Sequence, residues 1–294
     1  MTDNALKSLH ERAMLVRHTI SRKQFRKFDR EATHKIAEDN GADLEEAGRF
    51  NKILIAREAL GDINKIASSA YQHHLANTLP WDDQGSRLLP SENYFPYTNK
   101  QREYRERFET AVAEFVAQYP SYIEEAKARL NGMFHLSDYP DVDTIADAFS
   151  MSVRVRPLPN VDDIRAGLPD AEKQRIKDEL EADLKAVVEN AILNLWKRLY
   201  ESLETMRDRL KDYSDQDEDR RFFKAWTNTV RDIATLIGKM NFTDDQKLEE
   251  MRVRCFALID QYDNDTIREN KSIALEASID ADAILKDMIG YMGD

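Results

Sequence analysis

Over most of the chain, apolar side chains recur every three or four positions, the spacing that lines one face of an α-helix. From Asp43 to about Ala76 the stripe is Leu44, Ala47, Phe50, Leu54, Ile55, Leu60, Ile63 and Ile66, which predicts a helix with Asp43 as its N-cap. A second stripe runs from Tyr97 through Tyr104, Phe108, Val112, Phe115, Val116, Tyr119 and Ile123 to Leu130, and Asn131-Gly132 supplies a left-handed stop. Pro169-Asp170 opens the longest helix, which meets no Gly or Pro until about Tyr213 and extends roughly 65 Å at 1.5 Å per residue. Its stripe, Ile176, Leu180, Leu184, Val188, Ile192, Leu195, Leu199, Leu203, Met206 and Leu210, advances about 3.8 residues per step. That is longer than the 3.5 of a left-handed coiled coil and predicts a straight helix in a bundle. The acidic run Asp215-Gln-Asp-Glu-Asp219 ends it, and amphipathic segments follow at about 219–238, 243–262 and 264–290.

Two stretches depart from helical spacing. In 149–157, Phe149, Met151, Val153 and Val155 alternate with Ser150, Ser152, Arg154 and Arg156, so one face of a strand is apolar and the other basic. A lone strand leaves its backbone groups unpaired, and the best partner is the β-branched, unstriped stretch 14–28. Residues 77–98 carry Pro80, Gly85, Pro90 and Pro96 and predict a long aromatic loop. The expected fold is mainly α: an elongated bundle of long antiparallel helices with a small two- or three-stranded sheet. Residue 168 is the best internal boundary, separating 1–168 from 169–294, although both halves can share one elongated core.

Composition narrows the class further. Of 294 residues, 33% are charged and only nine are Gly and eight Pro, as in long helices and unlike disordered chains. No apolar run approaches the roughly twenty residues of a membrane span, and Met1-Thr2-Asp3-Asn4 lacks the layout of a secretory signal. A single cysteine, Cys255, cannot form an internal disulfide, which suits a reducing cytoplasm. The net charge of −12 is uneven: residues 1–35 hold nine Lys/Arg against four Asp/Glu, 36–168 hold 14 against 22, and 169–294 hold 20 against 29. The acidic bulk disfavours non-specific DNA binding, which Lys and Arg drive, and suits contact with a basic protein surface.

No catalytic constellation emerges. His73 and His74 project about 100° apart on a helix and cannot grip one metal as an i, i+4 pair could. Glu31-x-x-His34 has the spacing of a di-iron helix but lacks the second motif that chemistry needs. Gly238-Lys239 lacks the rest of a phosphate loop, and Asp263-Asn264-Asp265 lacks the glycine and glutamate of a calcium loop. Asp141, Asp143, Asp170 and Glu172 stand at predicted helix starts, where acids are favoured as caps. A non-enzyme with no metal and no cofactor is expected. Two candidate surfaces stand out. The loop side chains Trp81, Arg87, Tyr94, Phe95 and Tyr97 form a candidate partner-binding patch. Alternatively, Arg17, Arg22, Lys23, Arg26, Lys27, Arg154 and Arg156, interleaved with Phe25 and Phe28, form a basic aromatic face suited to single-stranded nucleic acid.

An ordered series of residues carries a resemblance: Leu79-Pro80-Trp81, Gly85, Arg87-Leu88-Leu89-Pro90, Tyr94, Tyr97, Arg102 to Phe108, and Ala128-Arg129-Leu130-Asn131-Gly132. Tyr139-Pro140, Val155-Arg156-Pro157-Leu158-Pro159 and Leu195-Trp196-Lys197-Arg198-Leu199 continue it. Over roughly residues 14–212 the chain resembles a family of phage and mobile-element proteins catalogued as domain of unknown function 3150. The resemblance implies a phage or plasmid origin and gene proximity to AAA+ ATPases of the cobalt-chelatase and MoxR type, and it assigns no catalytic residues. The expected function is therefore binding of a protein partner, as adaptor of an AAA+ ATPase assembly or inhibitor of a host defence complex in the host cytoplasm. Self-association is also expected, because one chain cannot easily cover so long an apolar stripe. A nucleic-acid-binding role in recombination or replication is the alternative.

Overall fold

The computed structural model describes residues 9–160, 167, 169–211, 222–241, 243–262 and 271–292. After a helical turn at 9–12, the strands are β1 (Ala13–Ser21), β2 (Arg26–Phe28), β3 (Asn51–Ile53), β4 (Leu79–Pro80), β5 (Ser86–Pro90) and β6 (Ser150–Arg156). The helices are α1 (Arg30–Asp39), α2 (Gly61–Ala76), α3 (Tyr94–Leu130), α4 (Asp170–Lys211), α5 (Phe222–Met240), α6 (Gln246–Gln261) and α7 (Lys271–Met292). The protein is mainly helical with a small sheet, as the patterning predicts. The sheet order is β4-β5-β1-β6, so β6 finds the expected neighbour in β1, and β4 and β5 extend the pair; β2 and β3 form a separate ribbon.

Contacts divide the chain into two interleaved compact units: 1–17, 74–97 and 154–294 in the first, 18–73 and 98–153 in the second. Residue 168, the sequence boundary, lies outside the described residues, as do the acidic run 215–219 and Asp263-Asn264-Asp265.

In the first unit, α4 packs against α5 and α7, α5 against α6, and α6 against α7. The stripe of α4 is the seam: Leu184, Val188, Leu195, Leu199, Leu203, Met206 and Leu210 are all buried. They join Val230, Ile237, Met251, Leu258, Leu285 and Met288 of the other three helices in one core. The β4–β5 hairpin adds Leu79 and Leu88 to that core. Antiparallel register sets Ala13 opposite Pro90 and Leu15 opposite Leu88. Residues 77–98 are thus not a loop: Gly85 at φ 88° makes the turn between β4 and β5, and α3 already begins at Tyr94.

In the second unit, α2 and α3 enclose an aromatic core of Phe25, Phe108, Phe115, Tyr119, Tyr139 and Phe149. Asn131, at φ 46°, stops α3 in the left-handed conformation its sequence predicts. The helix expected from Asp43 starts only at Gly61. The apparent stripe upstream has no core to face, since Leu44 and Phe50 are exposed. Asp43 holds a turn through a 2.8 Å bond from Glu45 N, and residues 51–53 pair with 26–28 instead. The stretch 14–28 is likewise not one strand. β1 ends at Ser21, Phe25 adopts φ 47°, and Arg26–Phe28 turn away to pair with β3. Asp29 caps α1, accepting from Ala32 N at 3.0 Å.

Candidate functional site

Of the predicted partner-binding residues, two serve the interior. Arg87 donates from Nε to Thr78 Oγ1 (2.7 Å) and from a terminal nitrogen to Thr78 O (3.0 Å). Arg198 reaches Thr78 O (3.2 Å) and Ala76 O (3.0 Å). The two guanidinium groups thereby satisfy carbonyls left over at the end of α2, where the helix dipole favours cations. Burial, and secondarily the Arg87 charge, lower the Arg198 pKa from its ordinary value. Tyr97 is buried, its hydroxyl 2.7 Å from His74 Nδ1, and burial pushes its pKa upward. Trp81 packs half-buried on the helical core, and the turn after it is pinned by Asp82 Oδ1, which accepts from Gln84 N and Ser86 N, both at 2.9 Å.

Tyr94 and Phe95 reach the surface. Phe95 is 72% exposed, and the two rings meet edge to face at 5.1 Å. Tyr94 also lines an open groove of about 1130 Å³ with His10, Met14, Leu15, Arg156 and Leu158. His10 Nε2 lies 2.8 Å from Pro159 O and ties the segment after β6 to the helical turn before β1. Arg156 comes from the other predicted surface, so the groove unites one residue of each.

The residues of the predicted basic face divide between the two units. Arg17, Arg154 and Arg156 belong to the first unit, and Arg22, Lys23, Phe25, Arg26, Lys27 and Phe28 to the second. Phe25 is 1% exposed and cannot stack on a base: it packs against Phe115 and Tyr119 at 5.5 and 5.8 Å, with Lys23 6.0 Å from its ring centre. Lys27 Nζ lies 2.6 Å from Asp138 Oδ1, and Arg22 donates to Asn64 Oδ1 at 3.1 Å. Phe28 is exposed, with the Arg49 guanidinium 5.7 Å from its ring.

Lys52, absent from any sequence candidate set, is a buried ammonium in the second unit. Its Nζ has Met133 O at 2.9 Å, Asp138 Oδ2 at 2.8 Å and Asp29 Oδ2 at 3.3 Å. Burial pushes the Lys52 pKa down, but the hydrogen bonds its ammonium donates to Asp138 and Asp29 outweigh it and leave a net rise. So enclosed an amine is a structural tie and offers no nucleophile. A signal was present in the sequence: Lys52 directly precedes an apolar run, Ile53 to Ala56. Cys255 is fully buried, and burial pushes its thiol up to about 12, far from a reactive thiolate.

Among the described residues no three His, Cys, Asp or Glu side chains gather as metal ligands, and no helix is long and apolar enough to cross a membrane. No family model, no curated protein and no solved structure matches the chain.

Proposed function

We propose that the chain is a non-catalytic binding protein that receives a segment of a protein partner in the groove of its first unit. The observation that carries this reading is the groove itself. About 1130 Å³ of open volume is walled by Met14, Leu15, Tyr94 and Leu158 and edged by His10 and Arg156, an apolar floor with few polar groups. Exposed Phe95 extends the aromatic surface beside it. The nucleic-acid alternative loses Phe25 to the core and Lys27 to an ion pair. An AAA+ ATPase assembly and a host defence complex are the partner classes to test first, within a phage or mobile-element setting. The test is affinity capture with the intact chain beside a Tyr94→Ala/Arg156→Glu variant. A stoichiometric protein partner lost with the variant is expected. Capture that is indifferent to the variant, or metal-dependent hydrolysis by the purified protein, overturns the reading.

A further inference from the structure

The second unit holds a cleft of about 650 Å³ between α3 and β6. Its floor is Val112, Ala113, Val116 and Ala117 of α3, and its far wall is Phe149 with Ser150 and Met151 at the start of β6. Successive strand residues point to opposite faces, and Met151 is buried whereas Ser150 is exposed. A cleft touching both therefore runs along the edge of the strand. β6 is the outer strand of its sheet, so among the described residues its far edge has no ladder partner.

Charge selects the occupant. From Ser137 to Val153 the chain carries Asp138, Asp141, Asp143 and Asp147 and no Lys, Arg or His. Asp138 is engaged by Lys27 and Lys52, whereas Asp141, Asp143 and Asp147 are exposed. Glu109 lines the cleft, and its ion pair with Arg105 is an exposed i, i+4 contact at 3.6 Å, a kind worth little in water. The volume suits one or two large side chains and lies within the range of ligand pockets, roughly 300–1,000 Å³.

We propose that this cleft binds an extended peptide in which apolar and basic residues alternate. The peptide adds a strand to the free edge at Ser150–Met151, its apolar side chains enter the cleft over Ala113 and Ala117, and its Lys or Arg side chains face Glu109 and the acidic rim. Main-chain bonds supply affinity and the cleft supplies selectivity, the usual division in strand addition.

The experiment is selection of a random, strand-length peptide display library on the full chain, with Ala113→Phe as the counter-bait. Ala113 is exposed at the cleft floor, so the larger ring fills the cleft without entering the core. Ala117→Phe serves as a second filling variant, and circular dichroism checks that each remains folded. Enrichment of alternating apolar and Lys/Arg inserts is expected. Their affinity should fall about tenfold or more for either filled variant, for Glu109→Lys, and for a synthetic peptide N-methylated at a ladder position. Affinity should persist in Tyr94→Ala/Arg156→Glu, which separates this site from the groove of the first unit. Failure to enrich, enrichment of acidic or helically spaced inserts, equal binding to the filled variants, or indifference to N-methylation overturns the proposal.

Discussion

Replacing Lys52 with methionine tests the account of the second unit most sharply. The substitution keeps the apolar stem and removes an ammonium that Met133 O, Asp138 Oδ2 and Asp29 Oδ2 surround at 2.9, 2.8 and 3.3 Å. The Lys52 side chain is 4% exposed, and the two carboxylates are 5% and 12% exposed. Water therefore cannot readily replace the lost cation. Deleting one partner of a buried pair costs about 3–5 kcal/mol, because the other charge stays behind uncompensated. Asp138 keeps Lys27 at 2.6 Å and Asp29 keeps the Ala32 N–H at 3.0 Å, which places the expected loss near the lower end, about 3 kcal/mol.

The pH dependence carries a second signature. The Asp29 pKa is lowered, first by the Ala32 N–H and then by Lys52 against opposing burial. Burial raises that of Asp138, but Lys27 and Lys52 outweigh it and the net shift is downward. A carboxyl lowered on folding contributes stability that is present above its unfolded value, about 4, and lost as pH falls through its folded value. The raised Lys52 contributes stability that is present below its unfolded value, about 10.4, and lost as pH rises through its folded value. Urea unfolding followed by circular dichroism across pH should show both limbs in the parent. In Lys52→Met the alkaline contribution disappears and the acid limb shallows. A loss under about 1 kcal/mol, the level of an exposed ion pair, or an unchanged acid limb, refutes the reasoning.

Phe25→Ala should cost about 3–5 kcal/mol in urea unfolding, because its ring fills the space between Phe115, Tyr119 and Phe149. Arg198→Met removes the charged donor to Ala76 O and leaves Thr78 O with Arg87, and should cost about 1.5–3 kcal/mol in the same assay. Cys255 should resist alkylation at neutral pH in the folded protein and react at once in denaturant; native labelling at a free-thiol rate contradicts its burial.

The legible parts of this fold are those in which one long helix or one alternating strand repeats a single period. From Leu184 to Leu210 the α4 stripe lies buried except for half-buried Ile192, and β6 falls within one residue of the alternating segment. The short elements were hidden because too few residues carry their period. β2 and β3 are three residues each, and Leu54 and Ile55, which leave the end of β3 for the core, happen to continue the spacing of α2. In the β4–β5 hairpin, Pro80, Gly85 and Pro90 sit at strand ends and the turn, where they punctuate the pairing rather than forbid it. The groove is half legible: Tyr94 and Arg156 both stand among the sequence candidates, but only the fold shows that residues 62 positions apart line one groove.

One backbone angle accounts for where two members of the expected basic face go, Phe25 to the core and Lys27 to an ion pair. Phe25 at φ 47° sits where a bulky L-residue is strained, so the surrounding packing must hold it there. Three aromatic rings within 6.4 Å of its own do so. The same bend closes a hydrogen bond from Leu54 N to Phe25 O at 2.8 Å and starts the pairing of 26–28 with 51–53. That register sets Lys27 opposite Lys52, and both ammonium groups converge on Asp138. Two like charges facing across a ribbon repel, and the Asp138 carboxylate between them turns that liability into a tie from β2 and β3 to the turn after α3. Lys27, which reads as a phosphate contact on a continuous strand, is, once the chain bends at Phe25, a counterion of a buried aspartate.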